Sequence, residues 1–409
     1  MTRPELTHTL ADTLPDMTVA VDGTNFPEAR LVLLNEPLAR ELGIDPEWLR
    51  TPEGTQWLAG SEGGHATAYA GHQFGQFVPL LGDGRALLLG DLPATPGGAG
   101  GSRVEIQLKG SGLTPFSRRG DGMGAIGPML REYLVSEFMA AIGVPTTRSL
   151  AVLDTGETVI RQQGKVPSGI VVRVAQSHLR VGSVQYAATR SAELVQAVVE
   201  AAGYDDGARL LDDVITRQLD LVCQWMRIGF VHGVMNTDNT ALSGDTIDYG
   251  PCAFTERFAS DAVFSSIDTA GRYRFGNQPN IIAWNLARLA EALTPVMDHQ
   301  EAQDIVLTIP DRFAQHWDTW IGEHQTGLEQ AEDIATYNQE HGIVDKPGPL
   351  FLPRNRMLET AIQEAEQRNN LEPYLELLAA VTDPYNPEAG PEWMKAPEGA
   401  FTYTTFCGT

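Results

Sequence analysis

Cysteine is nearly absent from this sequence: three residues, Cys223, Cys252 and Cys407, in a chain of 409. So few, and so far apart, they exclude a disulfide framework and a thiolate zinc site. Long apolar runs are missing as well. No stretch approaches the roughly 20 apolar residues that span a bilayer. The opening MTRPELTHTLADTLPD has no apolar core of signal-peptide length, so neither a membrane partner nor export is expected. Basic residues are scarce, 29 Lys and Arg against 53 Asp and Glu, for a formal charge of -24. A diffuse acidic surface repels nucleic acid, which removes it from the expected partners. A cytoplasmic protein is the expectation, and nothing demands an oligomer, so a monomer is expected too. Any polyphosphate ligand must be held by a local basic pocket against the global field.

What is present is the composition of a globular protein, 42% hydrophobic and 20% charged. The length exceeds one small core and predicts two lobes or two domains. In residues 1–60 the segment ARLVLLNEPLARELGI reads as an amphipathic helix. FVPLLGDGRALLLGDL reads as a hairpin turning at Gly82-Asp83-Gly84. LPATPGGAGGS, residues 92–102, is a loop with nothing to bury. SRVEIQLKG alternates, with Val104, Ile106 and Leu108 on one face and Glu105, Gln107 and Lys109 on the other. After a glycine-rich segment, PMLREYLVSEFMAAIGV is helical, with Pro128 suited to its first turn. SLAVLDTG, ETVIRQQG and GIVVRVA read as further strands. Beyond about residue 190 the pattern is almost all helical, as in ARLLDDVITRQLDLVCQWMRIG with Leu211, Ile215, Val222, Trp225 and Met226 on one stripe. The fold class predicted is α+β. A strand-rich lobe over 1–185 and a helical lobe over 186–409 would face each other across a cleft.

The most informative segment is GFVHGVMNTDNTALSGDTIDYGP, residues 229–251. It predicts a helix end near Gly229, a tight loop with Asp238 and Asn239, and a short strand delivering Asp248-Tyr249-Gly250. Phosphoryl and nucleotidyl transfer need hard oxygen ligands for a divalent cation and a carboxylate near the attacking hydroxyl. Protein kinases use this arrangement, with a catalytic-loop Asn and an Asp-aromatic-Gly sequence. Counting from His232, the seventh residue is Asn239, in kinase register, whereas the second is Val234, where a kinase has its base Asp. Either the site is catalytically dead or Asp238 has become the base. Taken alone, Asn-Thr-Asp-Asn is ordinary turn sequence; its register with His232 and Asp248 gives it functional weight. In the first lobe, Lys109 on a strand and Glu132 on the next helix match the kinase pair in which a lysine touches phosphates and a glutamate orients it. Arg173 and Arg180 could grip a triphosphate or serve equally as ion-pair residues. His178 between them reads as a local hydrogen bonder. Residues 300–400 read as helical packing and tail.

The strings GHQFGQF…LGDGRALLLGD, EIQLKGSGLTPFSRRGDG, MLREYL, QSHLRVGS and HGVMNTDNTALSGDTIDYGP resemble the selenoprotein O family, also called YdiU. The resemblance runs from about residue 65 to 290. It implies a protein-kinase-like bilobal fold that transfers AMP rather than the γ-phosphate. ATP would lie inverted in the cleft, the α-phosphorus attacked and pyrophosphate leaving. Carried over, Gly82, Gly84, Arg85, Lys109, Asp121, Gly122, Arg173, Arg180 and Asp248 would contact nucleotide, and Glu132 would orient Lys109. Asp238 would accept the proton of a Ser, Thr or Tyr hydroxyl on a protein substrate. Asn239 and Asp248 would hold Mg2+ or Mn2+. UMP transfer with Mn2+, conventional kinase activity and non-catalytic nucleotide binding are the alternatives. The family also implies redox pairing of Cys407 with a cysteine after Asp-Tyr-Gly. Here only Cys252 stands in that region, so a Cys252–Cys407 bond is the corresponding expectation.

Overall fold

The computed structural model describes residues 3–93, 103–161, 164–389 and 403–406. Twelve strands occur among them. In the first hundred residues these are β1 (Thr18–Val21), β2 (Arg30–Leu34), β3 (Gly64–Thr67), β4 (Gly71–Gln73), β5 (Gln76–Val78) and β6 (Ala86–Pro93). There follow β7 (Arg103–Lys109), β8 (Gly124–Ala125), β9 (Arg148–Arg161), β10 (Gly164–Ala175), β11 (Phe230–Val231) and β12 (Ala253–Phe254). Eight of them form one antiparallel sheet in the order β1-β3-β6-β7-β10-β9-β2, with β8 added to β10. This sheet lies wholly within residues 18–175, and long helices dominate from Val181 onward, so the chain is α+β as its sequence predicts.

The alternation in β7 is the reason it sits centrally. Ile106 and Leu108 enter an apolar cluster with Leu87, Leu89, Leu150, Ile170 and Val172. Against the opposite face packs the helix Ile126–Ile142, which is buried on nearly every side. It can be so because the sheet covers one flank and the helices Asn355–Arg368 and Glu372–Thr382 cover the other. Pro128 lies in its first turn, where a missing N–H costs nothing. The amphipathic helix Gly207–Ile228 buries all five of the predicted stripe residues. Its first turn is capped by Asp206 accepting from the Arg209 N–H at 2.8 Å. It ends where Gly229 takes the left-handed conformation, φ 74°.

Four local expectations are corrected. The segment 29–44 is not one helix: Arg30–Leu34 is edge strand β2, paired to β9, and Asn35 then caps a short helix Glu36–Glu41. Five consecutive residues rich in Leu and Val satisfy a sheet edge as well as a helix face. The hairpin lies one strand earlier than predicted. β5 pairs with β4, not β6, and the turn is Phe74-Gly75, both at positive φ (52° and 85°), which suits the twist of a two-residue hairpin. Gly82-Asp83-Gly84 is instead a loop leading into β6, whose partners are β3 and β7. SLAVLDTG and ETVIR fuse into the single strand β9, with Gly156 at φ 80° absorbing the irregularity. Asp248-Tyr249-Gly250 is irregular backbone, not a strand end; the pairing resumes only at β12. The predicted loop 92–102 begins with the last two residues of β6, and its remainder lies outside the described residues. No helix among the described residues is long and apolar enough to cross a membrane.

Candidate active site

Lys109 is the last residue of β7, and strand alternation turns it with Gln107 and Glu105 away from the apolar cluster. Its Nζ donates to Glu132 Oε2 at 2.6 Å and to Asp248 Oδ1 at 2.5 Å. Glu132, in the second turn of the helix Ile126–Ile142, accepts from Arg173 Nε with its other oxygen. Arg173 comes from β10, where the register sets it opposite Gln107, and its Nη2 stands 3.7 Å from Asp248 Oδ1. Two cations and two carboxylates thus alternate in a closed network. Burial alone would raise the Glu132 pKa, but Arg173 and Lys109 outweigh it and hold the carboxyl below its ordinary value. At Asp248 burial is likewise the largest influence, and Lys109, Arg173 and Arg85 overcome it to hold that carboxyl far below the carboxylate range.

Arg180 is placed differently. It precedes the helix Val181–Ala188, and its guanidinium lies 4.6 Å over the Tyr69 ring. Nε donates to the His178 carbonyl at 3.1 Å and Nη1 to the Asp238 carbonyl at 3.2 Å, while Nη2 has no hydrogen-bond partner among the described residues. The two readings left open for this pair therefore divide: Arg173 is ion-paired with carboxylates and Arg180 with none among the described residues, although the Nη2 of each lacks a hydrogen-bond partner there. His178 is a local hydrogen bonder, as expected, its Nδ1 2.8 Å from Glu105 Oε2.

The loop between β11 and β12 is stapled by His232. Its Nδ1 accepts from the Val234 N–H at 3.3 Å and its Nε2–H donates to the Ile247 carbonyl at 2.9 Å. Burial lowers its pKa, so the ring is neutral and structural. Asn239 Nδ2 donates to the Val234 carbonyl at 3.0 Å, which commits the amide nitrogen to the loop and leaves Oδ1 as its ligand atom. Asp248, beside the staple, holds φ 69°, a left-handed conformation rare for a residue other than glycine and one that concentrates at functional sites.

Asp238 differs from Glu132 and Asp248 in the direction of its shift. It is buried, and that burial pushes its pKa up to about 6, with Arg180 the strongest influence in the other direction. Its Oδ1 has no hydrogen-bond partner among the described residues. Space for the carboxylate depends on Gly71: a Cβ there would stand 2.8 Å from Asp238 Oδ1.

Gly82, Gly84, Arg85, Lys109, Asp121, Gly122, Arg173, Arg180, Asp238, Asn239 and Asp248 all line one cleft of about 430 Å³, and Glu132 stands behind Lys109. Gly82 has φ 72°, and a Cβ on it would enter the Phe116 ring at 2.3 Å. Asp121 lines the cleft with its carboxylate paired to Arg161 at 2.8 Å, which holds its pKa low. Cys252 is buried beneath this region, and burial pushes its thiol up to about 12; Cys407 lies outside the described residues. Sequence reasoning missed Tyr69, Gln73, Phe74, Arg118 and Arg161, which share the cleft. The alternation of GHQFGQFV about Phe-Gly was the available signal for Gln73 and Phe74.

A divalent cation fits this donor set. Asn239 and Asp248 offer two hard oxygen ligands, one held ionised, and a cation that keeps most of its water and binds phosphate oxygens asks for no more. Among the described residues no group of three or more His, Cys, Asp or Glu side chains forms a metal cage.

Comparison with known proteins gives a consistent result. Residues 2–317 match the family described as protein adenylyltransferase SelO. The chain is 41% identical to the protein nucleotidyltransferase YdiU of Mycolicibacterium paratuberculosis, with 99% of each chain covered. It is 43% identical to the protein of the same name from Corynebacterium efficiens, covering 98% of this chain and 95% of that one. With that of Rhodopseudomonas palustris it shares 42% identity over 97% of each. The chain belongs to the SelO family and is a nucleotidyltransferase.

Proposed function

We propose that this chain transfers AMP from ATP to Ser, Thr or Tyr hydroxyls of proteins, with ATP inverted relative to kinases. The observation that carries the reading is Asp238: a buried carboxylate with a free Oδ1 and a pKa of about 6, sharing a cleft with Lys109, Arg173 and Arg180. A base poised near neutrality deprotonates a hydroxyl at physiological pH. The hydroxyl oxygen attacks the α-phosphorus, its proton passes to Asp238, and the bond to the β-phosphate oxygen breaks to release pyrophosphate. Arg180 Nη2 supports the departing phosphates, and Lys109, oriented by Glu132, supports the α-phosphate. Gly82, Gly84 and Arg85 would hold the phosphate tail, with Asp121 and Gly122 closing that end. Asn239 and Asp248 would hold Mg2+ or Mn2+, which would neutralise phosphate charge.

A kinase-like bilobal fold divided at about residue 185 belongs to the same reading, supported by the confinement of the large sheet to residues 18–175. Val234 at the kinase base position argues against γ-phosphate transfer. The test uses ATP labelled at the α- or the γ-phosphate. Label from the α position on protein, with pyrophosphate released, is expected; label from the γ position alone would refute the reading. Running UTP beside ATP, with each metal, separates AMP from UMP transfer.

A further inference from the structure

The β4–β5 hairpin carries two aromatic side chains toward solvent, Phe74 (38% exposed) and Phe77 (44% exposed). Such exposure is conspicuous in a hairpin tied so firmly to the catalytic loop. The His72 N–H donates to Thr237 Oγ1 at 2.7 Å, and the Phe74 N–H donates to Asn236 Oδ1 at 3.0 Å. Thr237 is the neighbour of Asp238 in the chain. Phe74 also lines the cleft, so the hairpin forms a continuous surface from Asp238 outward.

Beside the hairpin two guanidinium groups stack on one indole. Arg272 lies 5.0 Å and Arg288 5.1 Å from the Trp284 ring centroid. His72 meets the same ring edge-on at 5.0 Å and contacts Phe77 on its other side. Arg288 is paired with Glu291 at 2.5 Å. Arg272 has no carboxylate within ion-pair distance among the described residues, although it rests against the hairpin turn, 3.5 Å from where a Cβ on Gly75 would be. In a chain of net charge -24, a pair of half-buried arginines spread on an aromatic platform beside a catalytic carboxylate is a specific arrangement. Planar stacking fixes the guanidinium fork for bidentate contact with a carboxylate.

We propose that Phe74, Phe77, Trp284, Arg272 and Arg288 form the acceptor-docking surface, and that it takes a segment carrying Asp or Glu beside the hydroxyl to be modified. The inference rests on the transfer reading above and adds the substrate class. Long-range repulsion from the acidic surface is screened beyond about 8 Å at physiological ionic strength, so the local arginines decide.

The test compares hydroxyl peptides flanked by Glu/Asp with the same peptides carrying Gln/Asn. Nucleotide transfer and fluorescence-anisotropy binding are both measured on the full chain, in wild type and in Arg272→Gln/Arg288→Gln. Wild type should favour the acidic peptide in kcat/KM by about tenfold or more, mainly through KM, and the double variant should lose that preference. A thermal midpoint within a few degrees of wild type would establish that the variant is folded, and Arg272→Gln alone gives a milder second variant if it is not. Equal use of both peptides by wild type, or a preference kept in a folded variant, overturns the docking proposal. Charge-selective binding with no transfer to any peptide or to the chain itself would instead overturn the transfer reading and leave the surface standing.

Discussion

Lys109 Nζ and Asp248 Oδ1 meet at 2.5 Å although 139 residues separate them. The contact joins the end of a central strand to the irregular backbone that follows the loop of Asp238 and Asn239. Glu132 and Arg173 close the network behind it, so the position of each charge depends on the other three. That dependence also makes the site vulnerable.

Removing Glu132 leaves Lys109 and Arg173 buried with half their compensation. Glu132→Ala should destabilise the chain by about 3–5 kcal/mol, because an uncompensated buried charge is more costly than the pair was favourable. Urea unfolding, followed as a shift in midpoint, measures it. A loss under about 1 kcal/mol would mean that the network contributes little to the fold.

Asp238→Asn keeps the shape of the side chain and removes its ability to take a proton. The transfer rate should fall by about 10²- to 10⁴-fold while ATP affinity changes only a few-fold. Single-turnover labelling with α-labelled ATP, alongside nucleotide titration, separates the two. Near-normal transfer would move the base elsewhere.

The raised pKa of Asp238 fixes a pH profile. With Asp238 as the proposed base its ionised form is needed, so kcat/KM should climb with pH through about 6 and level off above it. Stability has the opposite slope for this group. Asp238 binds its proton more tightly folded than unfolded, so its contribution is complete below the ordinary value of 3.8 and is lost as pH rises through about 6. Asp248, with its pKa depressed, contributes stability above 3.8 that disappears only in strong acid. Melting temperature against pH, for wild type and Asp238→Asn, should diverge between 3.8 and about 6 and nowhere else in the neutral range.

Gly71→Ala introduces a methyl 2.8 Å from Asp238 Oδ1 and 2.9 Å from Leu81 Cδ1. The carboxylate must shift, and misplacement by about 1 Å can lower a rate by 10²-fold. Activity should fall well before the thermal midpoint does. Equal rates in the two proteins would mean that the loop relaxes without consequence.

The candidate site was legible in the sequence because its spacings are local. His232 to Asn239 fits within one loop, Asp248 follows nine residues later, and the alternation of β7 orients Lys109 without reference to anything distant. Backbone period and chain length determine such relations. Local pattern misled where two structures compete for the same residues. Arg30–Leu34 became an edge strand because β9 offered it partners. GHQFGQFV formed the hairpin because β6 was claimed by β3 and β7. Only the tertiary structure separated Arg173 from Arg180. The two are chemically alike and seven residues apart, yet one lies among carboxylates and the other over Tyr69 against the Asp238 carbonyl. It alone raised the pKa of Asp238, since the burial that outweighs the opposing influence of Arg180 is made by segments remote in the chain. Sequence sets which groups are available; packing decides their solvent and their neighbours, and those set their charge.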